Sequence, residues 1–352
     1  MKRTNRMNTK PETTIHDIAR ELDVSASTVS RALKNNPLIS EKTREKIKQV
    51  AIEMGYRPNV VASNLRTRRT NTLGVIVPLI NRHFFSSVIS GVEEVAYKAG
   101  FAVTISQSND DFQKESQIAQ ALFASRVDGV ILSASMETIT SQHLNLFTDR
   151  NIPLVFFDRV LDDVSANKIV VDDFRGGLLA TRHLIEQGCR RIAHIGGPLN
   201  LAIYRDRLNG YLKALSQAGL QPLPEGVLHN RLTRSDGDEA IRQLMKLPQI
   251  PDAIFCANDT TALSVIIYLR EQKIRIPEDV ALVGFSNEPF SEVVSPALST
   301  IKQPGYEMGL KAAELIIRQI NGELSANDFT TYVMPTELII RESSLHQGVI
   351  VS

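Results

Sequence analysis

The residues with the clearest chemical use are short, polar and adjacent: Ser25, Ala26, Ser27 and Thr28, followed one helical turn later by Arg31. At the exposed start of a helix, a hydroxyl such as that of Ser27 can serve several base edges. A small apolar side chain such as Ala26 can touch a thymine methyl, and Arg31 can make paired hydrogen bonds to guanine. No comparable set for catalysis is present. Gly196-Gly197 follows an apolar run but lacks a complete dinucleotide or phosphate-loop pattern, and no nucleophile stands with a base. His83, His183 and His194 are isolated, and Cys189 and Cys256 belong to no metal-ligand or disulfide spacing. The expectation is therefore a binding protein with no catalytic residue, cofactor or metal.

Those short polar residues need a helical frame, and the flanking sequence supplies one. Apolar residues at helical spacing, Ile15, Ile18, Ala19 and Leu22, then Val29, Ala32 and Leu33, then Ile47, Val50, Ala51 and Met54, predict three short helices. Thr14, Ser25 and Ser40 stand where a side-chain oxygen caps each helix, with Asp17 and Thr43 three positions on. Gly55 closes the third helix and Pro58 prevents its simple continuation. The turn Asp23-Val24-Ser25 sets the second helix across the first, with Ala19, Val24, Val29 and Leu33 between them. This is a helix-turn-helix whose second helix presents its first residues to a major groove.

From about residue 73 the texture changes to apolar runs alternating with amphipathic stretches. Strands are predicted at 73–77, 101–106, 129–132, 154–157, 192–195, 253–256 and 280–283. Helices are predicted at 87–99, 115–125, 176–187, 205–218, 236–245, 259–272 and 305–320. Strands alternating with helices imply parallel sheets, whose carboxyl ends are the usual place for a ligand. The last residues, 342–352, read as a frayed tail.

Charge divides the chain the same way. Its 352 residues carry a net charge of +1, yet residues 1–70 hold 15 Lys and Arg against 7 Asp and Glu, which leaves −7 for the remainder. A short segment of +8 suits a phosphate backbone, since each neutralised phosphate releases counterions, while an acidic remainder suits a body held off DNA. No apolar run approaches the roughly 18 residues of a membrane span, and the basic N-terminal residues lead into Thr, Lys, Pro and Glu rather than the apolar core of an export signal. A cytoplasmic protein is expected.

The segment after the helices, Tyr56-Arg-Pro-Asn-Val-Val-Ala-Ser-Asn-Leu-Arg-Thr-Arg-Arg-Thr, joined to the helix-turn-helix, is where the chain resembles the LacI/GalR family of bacterial repressors, over residues 14 to 343. The resemblance implies a hinge helix that folds on DNA and inserts Leu65 into the minor groove, with Pro58, Asn59 and Ala62 at the matching positions. An exposed apolar wedge suits the prying apart of a base step. Ser63 stands where many relatives carry arginine, leaving Arg66, Arg68 and Arg69 as the nearby cations. Thr14, Ser25, Ala26, Ser27, Thr28, Arg31, Asn59, Ala62 and Leu65 are the candidate DNA contacts. Double-stranded operator DNA and a homodimer are implied, because each subunit of a symmetric pair reads a half-site.

The same resemblance implies an N-terminal all-α helix-turn-helix domain at 1–57, a hinge and linker at 58–72, an α/β periplasmic-binding-protein-like domain of two Rossmann-like subdomains at 73–343, and a tail at 344–352. The first subdomain would run to Phe156 and the second from Phe157 to Gln303, with a return to the first near residues 304–321. A small sugar-like effector is expected in the cleft. Phe84 and Phe85 match residues that stack on it, and serve equally as core. Asp158, at a strand end, could accept from sugar hydroxyls or simply shape a turn. Arg205 matches the arginine that grips the effector, with Arg207 a neighbouring candidate. Asn258 and Asp259 can bond a ligand and cap the next helix together. Ser286 stands where many relatives carry aspartate. The rival readings are an exported solute-binding protein, which would have no use for the basic helical unit, and a nucleotide-dependent enzyme.

Overall fold

The computed structural model of the chain describes residues 13–56, 69–325 and 328–345. Contacts divide it into two units, Met1–Thr70 and Asn71–Ser352.

The first unit holds three helices, α1 (Ile15–Glu21), α2 (Ala26–Leu33) and α3 (Glu41–Glu53). Thr14 caps α1 through a capping box with Asp17, whose carboxyl is drawn below its ordinary value by the Thr14 backbone and hydroxyl. Ser25 accepts from the Thr28 amide at 3.1 Å and Ser40 from the Thr43 amide at 3.3 Å. Asp23 turns the chain with a φ of 51°, and Gly55 closes α3 with a φ of 64°. Ile18, Ala19, Val29, Ala32, Ile47 and Ala51 form the core. A burial period of three to four residues thus fixes which face of α2 is left outside.

The second unit contains two six-stranded sheets. In chain order come β1 (Thr72–Val77), α4 (His83–Lys98), β2 (Ala102–Gln107), α5 (Phe112–Ala124), β3 (Gly129–Leu132), α6 (Asn145–Thr148), β4 (Leu154–Phe157) and β5 (Asn167–Val171). Then follow α7 (Asp173–Glu186), β6 (Ile192–Gly196), α8 (Ala202–Gln217), β7 (Val227–His229), α9 (Arg234–Leu244), β8 (Ala253–Cys256), α10 (Asp259–Glu271), β9 (Ala281–Ser286) and β10 (Ser299–Lys302). Last are α11 (Gly305–Ile320), β11 (Thr331–Met334) and β12 (Glu337–Ile339).

The first sheet is ordered β11-β5-β4-β3-β1-β2 and the second β12-β10-β9-β8-β6-β7. The first is parallel throughout, and the second is parallel except for the antiparallel pair β10–β12. Each is a doubly wound sheet with apolar clusters on both faces, so its central strands read as unbroken apolar runs such as Leu-Val-Phe-Phe in β4. Helices α7 and α8 cross closely because Gly177 and Gly210 let the backbones meet. A methyl group on Gly177 would collide with the Arg207 carbonyl.

Two expectations need correction. The chain leaves the first subdomain after β5, at Asp172, rather than at Phe157, because β5 pairs with β4. Residues 342–344 are not frayed. Ser343 and Ser344 are fully buried, with Ser343 Oγ donating to Leu282 O at 2.7 Å and Ser344 Oγ lying 2.7 Å from His183 Nε2.

Candidate functional site: a base-reading helix and a two-sheet cleft

On α2, Ser27 and Arg31 are exposed, and no salt-bridge partner for Arg31 is found among the described residues. Ser25 is tied up as the cap, its Oγ also 2.8 Å from both Ser27 Oγ and Thr28 Oγ1. Thr14 is likewise engaged in capping α1, and Ala26 is half-buried against the three-helix core. The cap hydroxyls therefore set the pose of α2 and leave Ser27 and Arg31 on its exposed surface, with Ser27 Oγ within reach of the Ser25 cap. Asn59, Ala62 and Leu65 lie outside the described residues.

The carboxyl ends of the two sheets face one cleft, lined from the first subdomain by Phe84, Phe85, Asp110, Met136, Asp158 and Arg159. From the second and the crossover come Ile203, Tyr204, Arg207, Asn258, Asp259, Ser286 and Gln303. This is where doubly wound sheets place ligands. Phe84 and Phe85, in the first turn of α4, line the cleft and also belong to the first subdomain's core. Their rings stand edge to face 5.2 Å apart.

Asp158 follows β4 with a φ of 57° and is buried, with Arg159 Nε 3.9 Å from its Oδ2. Burial raises its carboxyl above the ordinary value, and Arg159 opposes the shift. Arg159 Nη1 donates to Asp110 Oδ1, while its buried Nε has no hydrogen-bond partner.

On α8 the helix phase decides between two arginines. Arg205 faces outward and donates to the carbonyls of Leu199 and Asn200, whereas Arg207, 3% exposed, enters the cleft. Arg207 Nε donates to Asp173 Oδ1 and Nη1 to Ala257 O, both at 2.7 Å, and the guanidinium stacks 3.6 Å from the Phe285 ring centroid. Burial pushes the Asp173 carboxyl up to about 7, with Arg207 pulling it back.

Asn258 caps α10, its Oδ1 accepting from Thr261 N at 2.8 Å and its Nδ2 donating to Leu232 O at 3.0 Å. Asp259 is fully buried and accepts from the Thr300 hydroxyl at 2.6 Å and from Glu288 N at 2.8 Å. Both touch the cleft wall with these bonds already committed, and burial lifts Asp259 to about 6. Ser286, with a φ of 123°, donates to Gln303 Oε1 at 3.0 Å, and the buried Gln303 Nε2 is left without a partner. Asp110, Met136, Arg159 and Gln303 were missed from sequence; the first three come shortly after predicted strands, Gln303 follows β10, which was not predicted, and none carries a local motif.

Comparison with known proteins agrees with both halves. The profile for bacterial regulatory proteins of the lacI family matches residues 14–59, and that for a periplasmic binding protein-like domain matches residues 181–344. The transcriptional repressor CytR of Escherichia coli K12 is 33% identical over 332 residues, covering 94% of this chain and 96% of its own. The lac repressor dimer bound to operator and the anti-inducer ONPF superposes with a TM-score of 0.84 at 26% identity, covering 95% of this chain and all of that one. The complex of the transcriptional regulator CelR with cellobiose gives a TM-score of 0.72 at 30% identity, covering 94% of this chain and all of that one. With a helix-turn-helix unit joined to a two-sheet ligand-binding-type domain, and no enzyme among these relatives, the chain belongs to the LacI family of bacterial transcriptional regulators.

Proposed function

We propose that this regulator is a cytoplasmic repressor that binds a near-palindromic operator as a homodimer and is controlled by a sugar or sugar derivative held in the cleft. The observation that carries the effector class is the cleft's balance of charge. Arg159, Arg207 and Arg231 are each paired with an acid, Asp110, Asp173 and Glu137. What remains for a ligand is a buried carboxylate, two unpartnered N–H donors, an aromatic wall of Phe84, Phe85 and Tyr204, and one further charge of each sign, Arg82 and Glu288. A neutral polyhydroxylated ring offers donors, acceptors and an apolar face to match. The solved relatives with cellobiose or with a dimer on operator DNA support the same reading.

In this reading the helix-turn-helix domain spans 1–57, a hinge 58–72, the effector domain 73–343 and a tail 344–352. Ser27 and Arg31 read bases, Thr14, Ser25, Ala26 and Thr28 hold the reading helix against the groove, and Asn59, Ala62 and Leu65 engage the minor groove. Phe84, Phe85, Asp158, Arg207 and Gln303 contact the effector directly. Asn258, Asp259 and Ser286 shape the wall, and Arg205, outside the cleft lining, braces the turn before α8 through the Leu199 and Asn200 carbonyls. The effector acts by its differential affinity for the DNA-bound and free states.

The test is genomic footprinting with purified protein, with and without D-ribose, D-xylose, D-glucose, D-galactose and cellobiose. Protection of short palindromes, altered by one sugar, is expected. Protection that no sugar alters overturns the effector class, and none at low salt with a folded dimer overturns the operator reading. Leu65→Ala is expected to keep dimerisation and lose sharp bending of the protected DNA; unchanged bending and affinity remove Leu65 from the mechanism.

A further inference from the structure

Residues 133–138 leave β3 at its cleft end and cross to the other subdomain. Met136, 6% exposed, packs in the second subdomain's cluster with Ile203, Tyr204 and Leu232. Its own subdomain holds the segment by two carboxylates. Asp110 Oδ1 accepts from Met136 N at 2.9 Å, and buried Glu115 accepts from Ser135 N at 2.5 Å and from the Thr138 hydroxyl at 2.9 Å. The second subdomain holds it from the far side, with Asn200 Nδ2 donating to Met136 O at 3.0 Å and Arg231 Nη1 to Glu137 Oε1 at 3.1 Å. Residue 136 is therefore gripped through its amide by one subdomain and through its carbonyl and side chain by the other.

The same Asp110 oxygen that takes the Met136 amide also takes Arg159 Nη1, and the Arg159 carbonyl accepts from Ala134 N at 3.0 Å. Asn109 and Asp110 both have left-handed backbone, φ 60° and 61°, a conformation held only where the surroundings over-determine it. It aims one carboxylate at both the cleft arginine and the crossing segment. The cavity that remains is about 80 Å³, against roughly 300–1,000 Å³ for small-molecule pockets. The seated segment lies beside this narrow cleft, and Met136 lines both.

We propose that residues 133–138 are a strap that latches the effector cleft, with Asp110 as the positioning residue that couples it to Arg159. A polar ligand that takes the hydrogen bonds of Arg159 draws the guanidinium from Asp110, loosens the hold on the Met136 amide and lets the strap unseat. Methionine suits the plug, since its unbranched side chain leaves and re-enters a core without a fixed shape. The proposal rests on the effector reading of the cleft.

Hydrogen exchange of the full chain, with no sugar and no DNA, tests the latch separately from that reading. In Met136→Ala, amides of residues 199–204 and 229–233 are expected to exchange roughly tenfold faster or more, while β6 and β8 keep the wild-type rate. Asn200→Ala, which touches only the exposed side of the strap, is expected to speed the same two segments. Asp110→Ala reproduces the effect, and Asp110→Asn, which keeps an acceptor for the Met136 amide, restores slow exchange. Unchanged exchange at both segments in Met136→Ala and Asn200→Ala overturns the latch. So does acceleration spread evenly through β6 and β8, which marks Met136 as ordinary core. Acceleration in Asp110→Ala confined to residues 108–111 removes Asp110 from the coupling.

Discussion

Replacing Arg207 with methionine separates what that residue does for the fold from what it does for a ligand. The guanidinium is the charge partner of Asp173, and both side chains are 4% exposed. Removing one member of such a pair leaves the other as an uncompensated buried charge, which costs about 3–5 kcal/mol. The cost must depend on pH. The Asp173 carboxyl sits at about 7 in the folded protein, raised by burial and restrained by Arg207, against 3.8 ordinarily. A raised folded value means stability is fully present at low pH and is lost as pH climbs through the folded value. Without Arg207 that value rises further, so the variant's deficit relative to wild type grows between pH 5.5 and pH 8 by up to about 1.4 kcal/mol, the one unit between the wild-type value and pH 8. Urea unfolding of wild type, Arg207→Met and Arg207→Met/Asp173→Asn at the two pH values measures this. The double variant is expected to recover more than half of the loss at pH 8 while its sugar response stays absent. Equal deficits at both pH values, with no recovery in the double variant, would refute the charge argument.

Two further substitutions address other links. His194 is fully buried between the rings of Tyr211 and Phe255, and burial depresses it to about 3 from an ordinary 6.5. The unfolded chain therefore binds the proton first, and stability falls as pH drops below 6.5, by about 2 kcal/mol between pH 7 and pH 5 from this group. His194→Phe removes that part of the slope, and parallel urea midpoints for the two proteins would contradict it. Arg31→Ala is expected to weaken operator binding by about 5- to 100-fold while binding to random DNA changes little, as for a side chain reading a base edge. Titrations on the footprinted operator and on random DNA decide it, an equal loss on both marking Arg31 as a phosphate contact.

How much of this was legible in the sequence follows from which residues are forced by periodicity. β3, β4 and β8 fall at the expected residues because a strand buried on both faces must be wholly apolar. β5 and β10, Asn-Lys-Ile-Val-Val and Ser-Thr-Ile-Lys, carry polar residues within short runs and gave no such signal, which displaced the subdomain boundary. α4 starts at His83, four residues before the expected start, and Arg82 makes no side-chain cap that would have marked it. Arg207 was legible in principle, since the buried positions Ile203, Tyr204, Arg207, Gly210 and Tyr211 keep helical spacing and leave Arg205 outside. Asp110 was not, because its partner Arg159 lies 49 residues away and the loop that aims it has no repeating pattern.

The two sheets supply their polar strand ends in matched places. β4 and β9 hold the same place in their sheet orders, and each carries a terminal phenylalanine–polar pair whose polar residue has positive φ, Phe157-Asp158 running just past β4 and Phe285-Ser286 closing β9. One copy offers a carboxylate; the other spends its hydroxyl on Gln303 Oε1. That bond fixes which way the Gln303 amide points, because the reversed amide would turn its oxygen toward the neighbouring Asp158 carboxylate. In the proposed effector reading, acceptance from ligand hydroxyls falls on Asp158 from one subdomain, and donation falls on Gln303 Nε2 and Arg159 Nε beside it. Ser286 then acts on the ligand only by orienting Gln303. An aspartate at position 286 would take the Gln303 amide for itself and turn the donor away from the cleft, so the serine and the unpartnered amide belong to a single recognition device.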